Sequence, residues 1–235
     1  MDWIDRISLF SQMDLGALAL LFAAWLVIGW RIENPSAKAP SVSVLMADYR
    51  REWMQRMITR EPRIFDATIL GNLRQGVAFF ASASMISIGG VLALIGNTDT
   101  LMSVAGDLAQ VSVPVIVWEA KLMLILFFVT NAFLKFVWSN RLFGYCAVIM
   151  SAVPNDPEDA LCQTRAMQAA EINITASRGF NRGLRSVYFG LASAAWLVGP
   201  IALAGATVLT CLVVWRREFA SHSRSVLLIR DAHEG

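Results

Sequence analysis

The sequence predicts an all-α integral membrane protein: a four-helix bundle with amphipathic cytoplasmic helices. Three observations lead there. The chain of 235 residues is 56% hydrophobic and 16% charged, with mean hydropathy +0.54, whereas soluble domains carry roughly 25% charged residues. Apolar runs of about 17–25 residues, the length of a membrane-spanning helix, recur along it. A membrane barrel would show alternating segments of about 10 residues instead. Finally, Lys and Arg gather in two connections and are missing from a third.

The first span is expected at about 15–30. Ser11-Gln-Met-Asp14 resembles a capping box just before it. The acidic start, without a basic leader or a small-residue cleavage pattern, marks this run as a retained helix. The second span is expected at about 71–95. The third covers about 117–138, after Pro114 and bracketed by Trp118 and Trp138 at aromatic-belt spacing. The fourth covers about 188–215, with Gly199-Pro200 inside it as a kink. Two spans need roughly 40 apolar residues, so this segment reads as one tilted helix. Residues 1–218 then form a single membrane domain, and 219–235 a polar tail.

Orientation follows from basic residues. Eight lie between Arg31 and Arg74, six between Lys135 and Arg185, and none in the 97–117 loop. Both basic connections are therefore expected in the cytoplasm of a multi-pass inner (plasma) membrane protein, with both termini outside. Arg216, Arg217, Arg224 and Arg230 conflict with an outer tail. The basic connections carry helical patterns at about 41–60 and 155–175. In the former, Val42, Leu45, Met46, Tyr49, Trp53 and Met57 make an apolar stripe, with Arg50, Arg51, Arg56 and Arg60 off it. Such a helix lies on anionic headgroups or packs on the protein. Asn155-Asp-Pro-Glu-Asp159 reads as the start of the latter.

Polar groups near the spans have a functional and a plain reading. Lys135, Asn140 and Arg141 mark the inner boundary of the third span, where long side chains snorkel. Asn131, Lys135 and Ser139 share one helical face. Asn131 and Ser139 are a candidate polar lining for a solute or, alternatively, interhelical hydrogen-bond glue. Arg74, Lys135, Arg141, Arg182 and Arg185 are a candidate inner-mouth site for an anion or a lipid headgroup, or simply obey the positive-inside rule. Lys121 and Glu119, at the outer edge, need no special role. Small residues make two candidate packing rows: Gly76, Ala83, Ser87 and Gly90 on the second span, and Ala195, Gly199, Ala202 and Ala206, beside Pro200, on the fourth.

Much chemistry is missing from the sequence. Its only histidines are His222 and His233, and no HExxH, GxSxG, P-loop or GxGxxG occurs. Cys146, Cys162 and Cys211 have no zinc or disulfide spacing. The expectation is a protein that is not an enzyme, without metal, cofactor or nucleic acid.

Several stretches resemble one family. "RSVYFGLASAAWLVGP" (185–200), "LRQGVAFFASASMISIGG" (73–90), "YRREWMQRM" (49–57) and Lys121 in "EAKLMLILFF" are similar to the patterns of domain of unknown function 599, over roughly residues 10–218. The resemblance implies a four-span protein and no activity. It singles out Arg74, Trp53, Arg185, Trp196, Gly199 and Pro200, each as well suited to a structural role as to a functional one. The functional expectation is a homo-oligomeric channel or transporter-like protein for a small solute. The alternative is an auxiliary subunit or assembly factor of a larger membrane complex. Membrane lipids, anionic ones among them, are the expected partners.

Overall fold

The computed structural model describes residues 9–98 and 114–229. Most of the basic-free loop after the second span lies outside them. All described regular structure is helical: α1 (Gln12–Glu33), α2 (Val42–Met57), α3 (Ile64–Gly96), α4 (Val115–Ser151), α5 (Leu161–Ala194), a 3-10 turn (Ala195–Leu197), α6 (Pro200–Phe219) and α7 (His222–Leu228). Four segments are long and apolar enough to cross a membrane: Gln12–Glu33, Ile64–Gly96, Val115–Ser151 and Pro200–Leu228.

The capping box at α1 forms as expected. The Asp14 amide donates to Ser11 Oγ at 3.1 Å, and the Ser11 amide donates to Asp14 Oδ2 at 3.0 Å. Ser41 caps α2 by accepting from the Val44 amide at 3.3 Å. The face that α2 buries is not the expected stripe. Ala47, Met54 and Met57 are buried while Met46 is exposed, because Arg50 turns toward the protein.

Two expectations need correction. The helix expected at 155–175 starts at Leu161 and continues to Ala194. The segment expected as one span at 188–215 is divided. Gly199 has φ +154°, a region open to glycine and costly for residues with a Cβ. Pro200 then opens α6, where its missing N–H costs nothing. The pair is a joint between two helices, not a kink within one.

The chain forms two compact units. Unit 1 comprises 1–29, 83–132 and 184–214; unit 2 comprises 30–82, 133–183 and 215–235. The path enters unit 1 along α5 and returns to unit 2 along α6. The tail thus joins the first basic connection within unit 2. Glu218 Oε2 accepts from the Ser43 amide and hydroxyl at 3.1 and 2.9 Å. Arg224 Nε donates to the Pro40 carbonyl at 2.9 Å.

Each unit has its own aromatic core. In unit 1, Phe128 of α4 stacks on Phe22 of α1 at 5.8 Å, meets Trp25 edge-on at 5.2 Å and faces Phe189 of α5 at 6.5 Å. In unit 2, Phe80, Phe136 and Phe180 form a triangle with centroids 5.5–5.6 Å apart. Glycines set the approach of α5 to α4. A Cβ on Gly183 would lie 2.5 Å from the Phe136 ring, and one on Gly190 would lie 3.2 Å from Phe128 Cβ.

We expect Gly183→Ala to destabilise the protein by about 1–3 kcal/mol, as overpacking of a filled core does. Gly76, whose Cβ would meet nothing within 4 Å, should tolerate Ala or gain from its helix propensity, by about 0.5–1 kcal/mol. Thermal unfolding in detergent checks both. Equal melting temperatures for the two variants would contradict the close α4–α5 approach.

Candidate functional site

The five cations expected at one inner mouth have different surroundings. Arg182 pairs with Glu33. Arg141 donates from Nε to Tyr145 Oη at 2.5 Å, one turn along its own helix. Arg185 is buried in unit 1, its Nε 3.8 Å from where a Cβ on Gly29 would stand. Lys135 is half-buried, and its carbonyl lies 3.8 Å from where a Cβ on Gly179 would stand. Arg74 is exposed and borders a separate cleft.

The candidate lining residues are engaged in helix contacts. Ser186 Oγ of α5 donates to Asn131 Oδ1 at 3.0 Å, within unit 1. Ser139 Oγ donates to the Ala176 carbonyl of α5 at 2.6 Å, within unit 2. Both are the interhelical glue that the sequence offered as the alternative. The small residues of α3 are not buried among the described residues: Gly76, Ser87 and Gly90 are exposed and Ala83 is half-exposed. The helix instead uses the narrow stripe Leu70, Val77 and Ser84, which is buried. On α6, Leu203, Thr207 and Val214 are buried, while Ala202 and Ala206 flank them. Ala195 lies in the 3-10 turn.

Unit 2 holds a polar network that periodicity did not reveal. Asp66, at 0% exposure, accepts from Trp53 Nε1 at 2.7 Å and from the Arg60 guanidinium with the same oxygen. Its other oxygen has no partner among the described residues. Arg50 donates to Asn173 Oδ1, and Asn173 Nδ2 donates to Cys146 Sγ at 3.6 Å. Burial pushes the Arg50 guanidinium below its usual pKa. Arg51 shifts the other way, chiefly through its hydrogen bond to Glu171 at 2.8 Å. A Trp and two Arg six to thirteen residues before an acid at a helix start were the only sequence signal for the Asp66 cluster.

A second arrangement in unit 2 is a cleft of about 350 Å³. Ala67, Leu70, Gly71 and Arg74 line one wall, on one face of α3 at i, i+3, i+4 and i+7. Ala147, Met150 and Ser151 at the end of α4 line the other, and Met57, Arg63 and Asn155 complete the lining. Arg63 is held by three carbonyls: Val153 at 2.7 Å, Pro154 at 2.7 Å and Ile58 at 3.1 Å. Among the described residues no carboxylate lines this space.

In unit 1, Lys121, for which no special role was expected, is enclosed at 8% exposure. Its Nζ lies 5.2 Å from the Trp118 ring centroid and 5.8 Å from that of Trp196. Trp196 Nε1 donates to Asp14 Oδ1 at 2.7 Å. The cation, the rings and the carboxylate tie the starts of α1 and α4 to the joint before α6. Among the described residues no three His, Cys, Asp or Glu side chains are grouped to hold a metal.

Two variants separate the strong from the weak parts of the network. Asp66→Asn should cost about 1.5–3 kcal/mol, the range for hydrogen bonds to a charged partner. Arg51→Ala should cost less than ~1 kcal/mol, because that pair faces solvent on both sides (37% and 50% exposed). Thermal unfolding ranks them, and Trp53 fluorescence should change only in the first.

No curated relative and no solved structure matches the chain. Residues 16–223 match the family described as "Protein of unknown function, DUF599". The match spans all four apolar helices and the joint at Gly199-Pro200, and the chain belongs to that family.

Proposed function

We propose that this membrane protein works as a non-catalytic subunit of a homo-oligomer whose copies meet along α3, with any solute path lying between copies. The observation that carries this reading is the bareness of α3. Only 6% of its apolar window is buried, against 28% for α4. Its small residues at 76, 83, 87 and 90 leave room for a second backbone. A path through one chain has no support from Asn131 or Ser139, which bond to α5. An auxiliary role beside a different protein would use the same face.

The orientation belongs to the same proposal. All described Lys and Arg residues except Lys121 and Arg185 belong to unit 2. We place unit 2 on the cytoplasmic side, as the basic bias directs. The tail then lies inside.

Three measurements test these statements. In a Cys211→Ser background, Ser87→Cys should give an oxidative dimer in native membranes, and Leu209→Cys, exposed on α6, should not. Native mass spectrometry should show multiples of one chain; a mass containing a second protein would favour the auxiliary role. Monomer throughout would overturn both. A reporter fused after Gly235 should show the same sidedness as one inserted near Lys38, and opposite sidedness would contradict the return of α6.

A further inference from the structure

We propose that the cleft between α3 and the end of α4 binds a phosphate-bearing anion through Arg63 and Arg74. The shared chemistry is a phosphate ester, carried either by a lipid headgroup or by a small soluble molecule.

Charge is the first argument. Arg63 makes hydrogen bonds only to carbonyl oxygens. Those dipoles orient the guanidinium without cancelling its charge. Arg74 makes no hydrogen bond or ion pair among the described residues. Four arginines of the same unit, Arg51, Arg56, Arg60 and Arg182, each face a carboxylate, while Arg165 and Arg224, like Arg63, bond carbonyls but do not line the cleft. The cleft thus holds two cations without a counter-ion and no acid in its wall. Guanidinium groups match phosphate oxygens in charge and fork geometry.

Shape is the second. Ser151 and Asn155 offer polar groups in the lining, while Met57, Ala67, Leu70, Ala147 and Met150 make it largely apolar. A volume of about 350 Å³ is at the small end of ligand sites, which span roughly 300–1,000 Å³. Gly71 keeps the wall open, since nothing stands within 4 Å of where its Cβ would be. A charged pocket beside apolar surface at a span's basic end is where a phospholipid headgroup would sit.

The site is independent of the proposed contact between copies. Positions 67 and 76 are nine residues apart, which at ~100° per residue puts the cleft and the small-residue row on opposite sides of α3. A failed cross-link at Ser87 would leave the cleft untouched, and the reverse.

The full chain in phosphatidylcholine nanodiscs tests the proposal, with phosphatidylglycerol and inorganic phosphate as separate probes. Bound lipid is read by native mass spectrometry and phosphate by calorimetry. Arg74→Ala removes one cation and Gly71→Phe fills the cleft while both arginines are kept; Arg74→Lys is the conservative control. We expect both disruptive variants to weaken binding roughly tenfold or more, the scale of one lost charge-assisted bond. Arg74→Lys should restore part of it. Retention of phosphatidylglycerol that phosphate does not displace identifies the lipid source. Phosphate binding alone, lost in both variants, identifies the soluble source. Binding of both probes at wild-type strength by Arg74→Ala and Gly71→Phe, with unchanged melting temperatures, would overturn the proposal.

Discussion

The structure depends on the close approach of α5 to α4. Gly183 admits the Phe136 ring in unit 2, and Gly190 admits Phe128 in unit 1. Without a hydrophobic drive between helices in lipid, tight dispersion contacts and interhelical hydrogen bonds hold a membrane protein together. Here both occur along one pair of helices. Ser139 bonds the Ala176 carbonyl and Asn131 takes the Ser186 hydroxyl, so the polar atoms near the seam are satisfied where water is absent. The remaining helices contribute rings to the cores that this seam begins: Phe22 and Trp25 from α1, and Phe80 from α3.

That constraint explains which parts of the fold were legible in the sequence. The spans α1, α3 and α4 were plain, because a helix facing lipid must be apolar along its length. The start of α1 was legible from Ser11 and Asp14, a local pattern with a local cause. α5 was not legible in full, because its buried face is made of small and polar residues that answer to neighbouring helices. Its Ala166, Ala169, Ala170, Asn173, Ala176 and Ser186 are buried, yet they read as a weak amphipathic pattern. The joint at Gly199 was misread for the same reason. Counting apolar residues cannot reveal a return path when the incoming helix is polar.

The candidate site was legible only in part. Arg74 was singled out and does border the cleft. Arg63 was counted only as part of the basic bias, because its role depends on the carbonyls of Val153 and Pro154, ninety residues away in sequence. Arg141, Arg182 and Arg185 share a charge and a neighbourhood in the sequence, and the fold gives each different company. Lys121 was passed over because two Trp rings enclosing a cation come from separate helices.

Charge of one sign thus carries three different meanings in this protein, and only partners tell them apart. Arg60 and Arg182 are structural, since each meets a carboxylate. Arg50 is structural in a costlier way: its buried guanidinium leans on neutral Asn173, and its Nε finds no acceptor among the described residues. Removing one member of such a contact strands the other, so the arrangement fixes how α2 docks more than it stabilises the fold. Arg63 and Arg74 belong to the third kind. One is oriented by carbonyls and the other is bare, and the wall around them has no acid. A positive-inside bias alone asks for cations somewhere on that side. It does not ask for two of them at one cavity, with a glycine keeping the wall open between them.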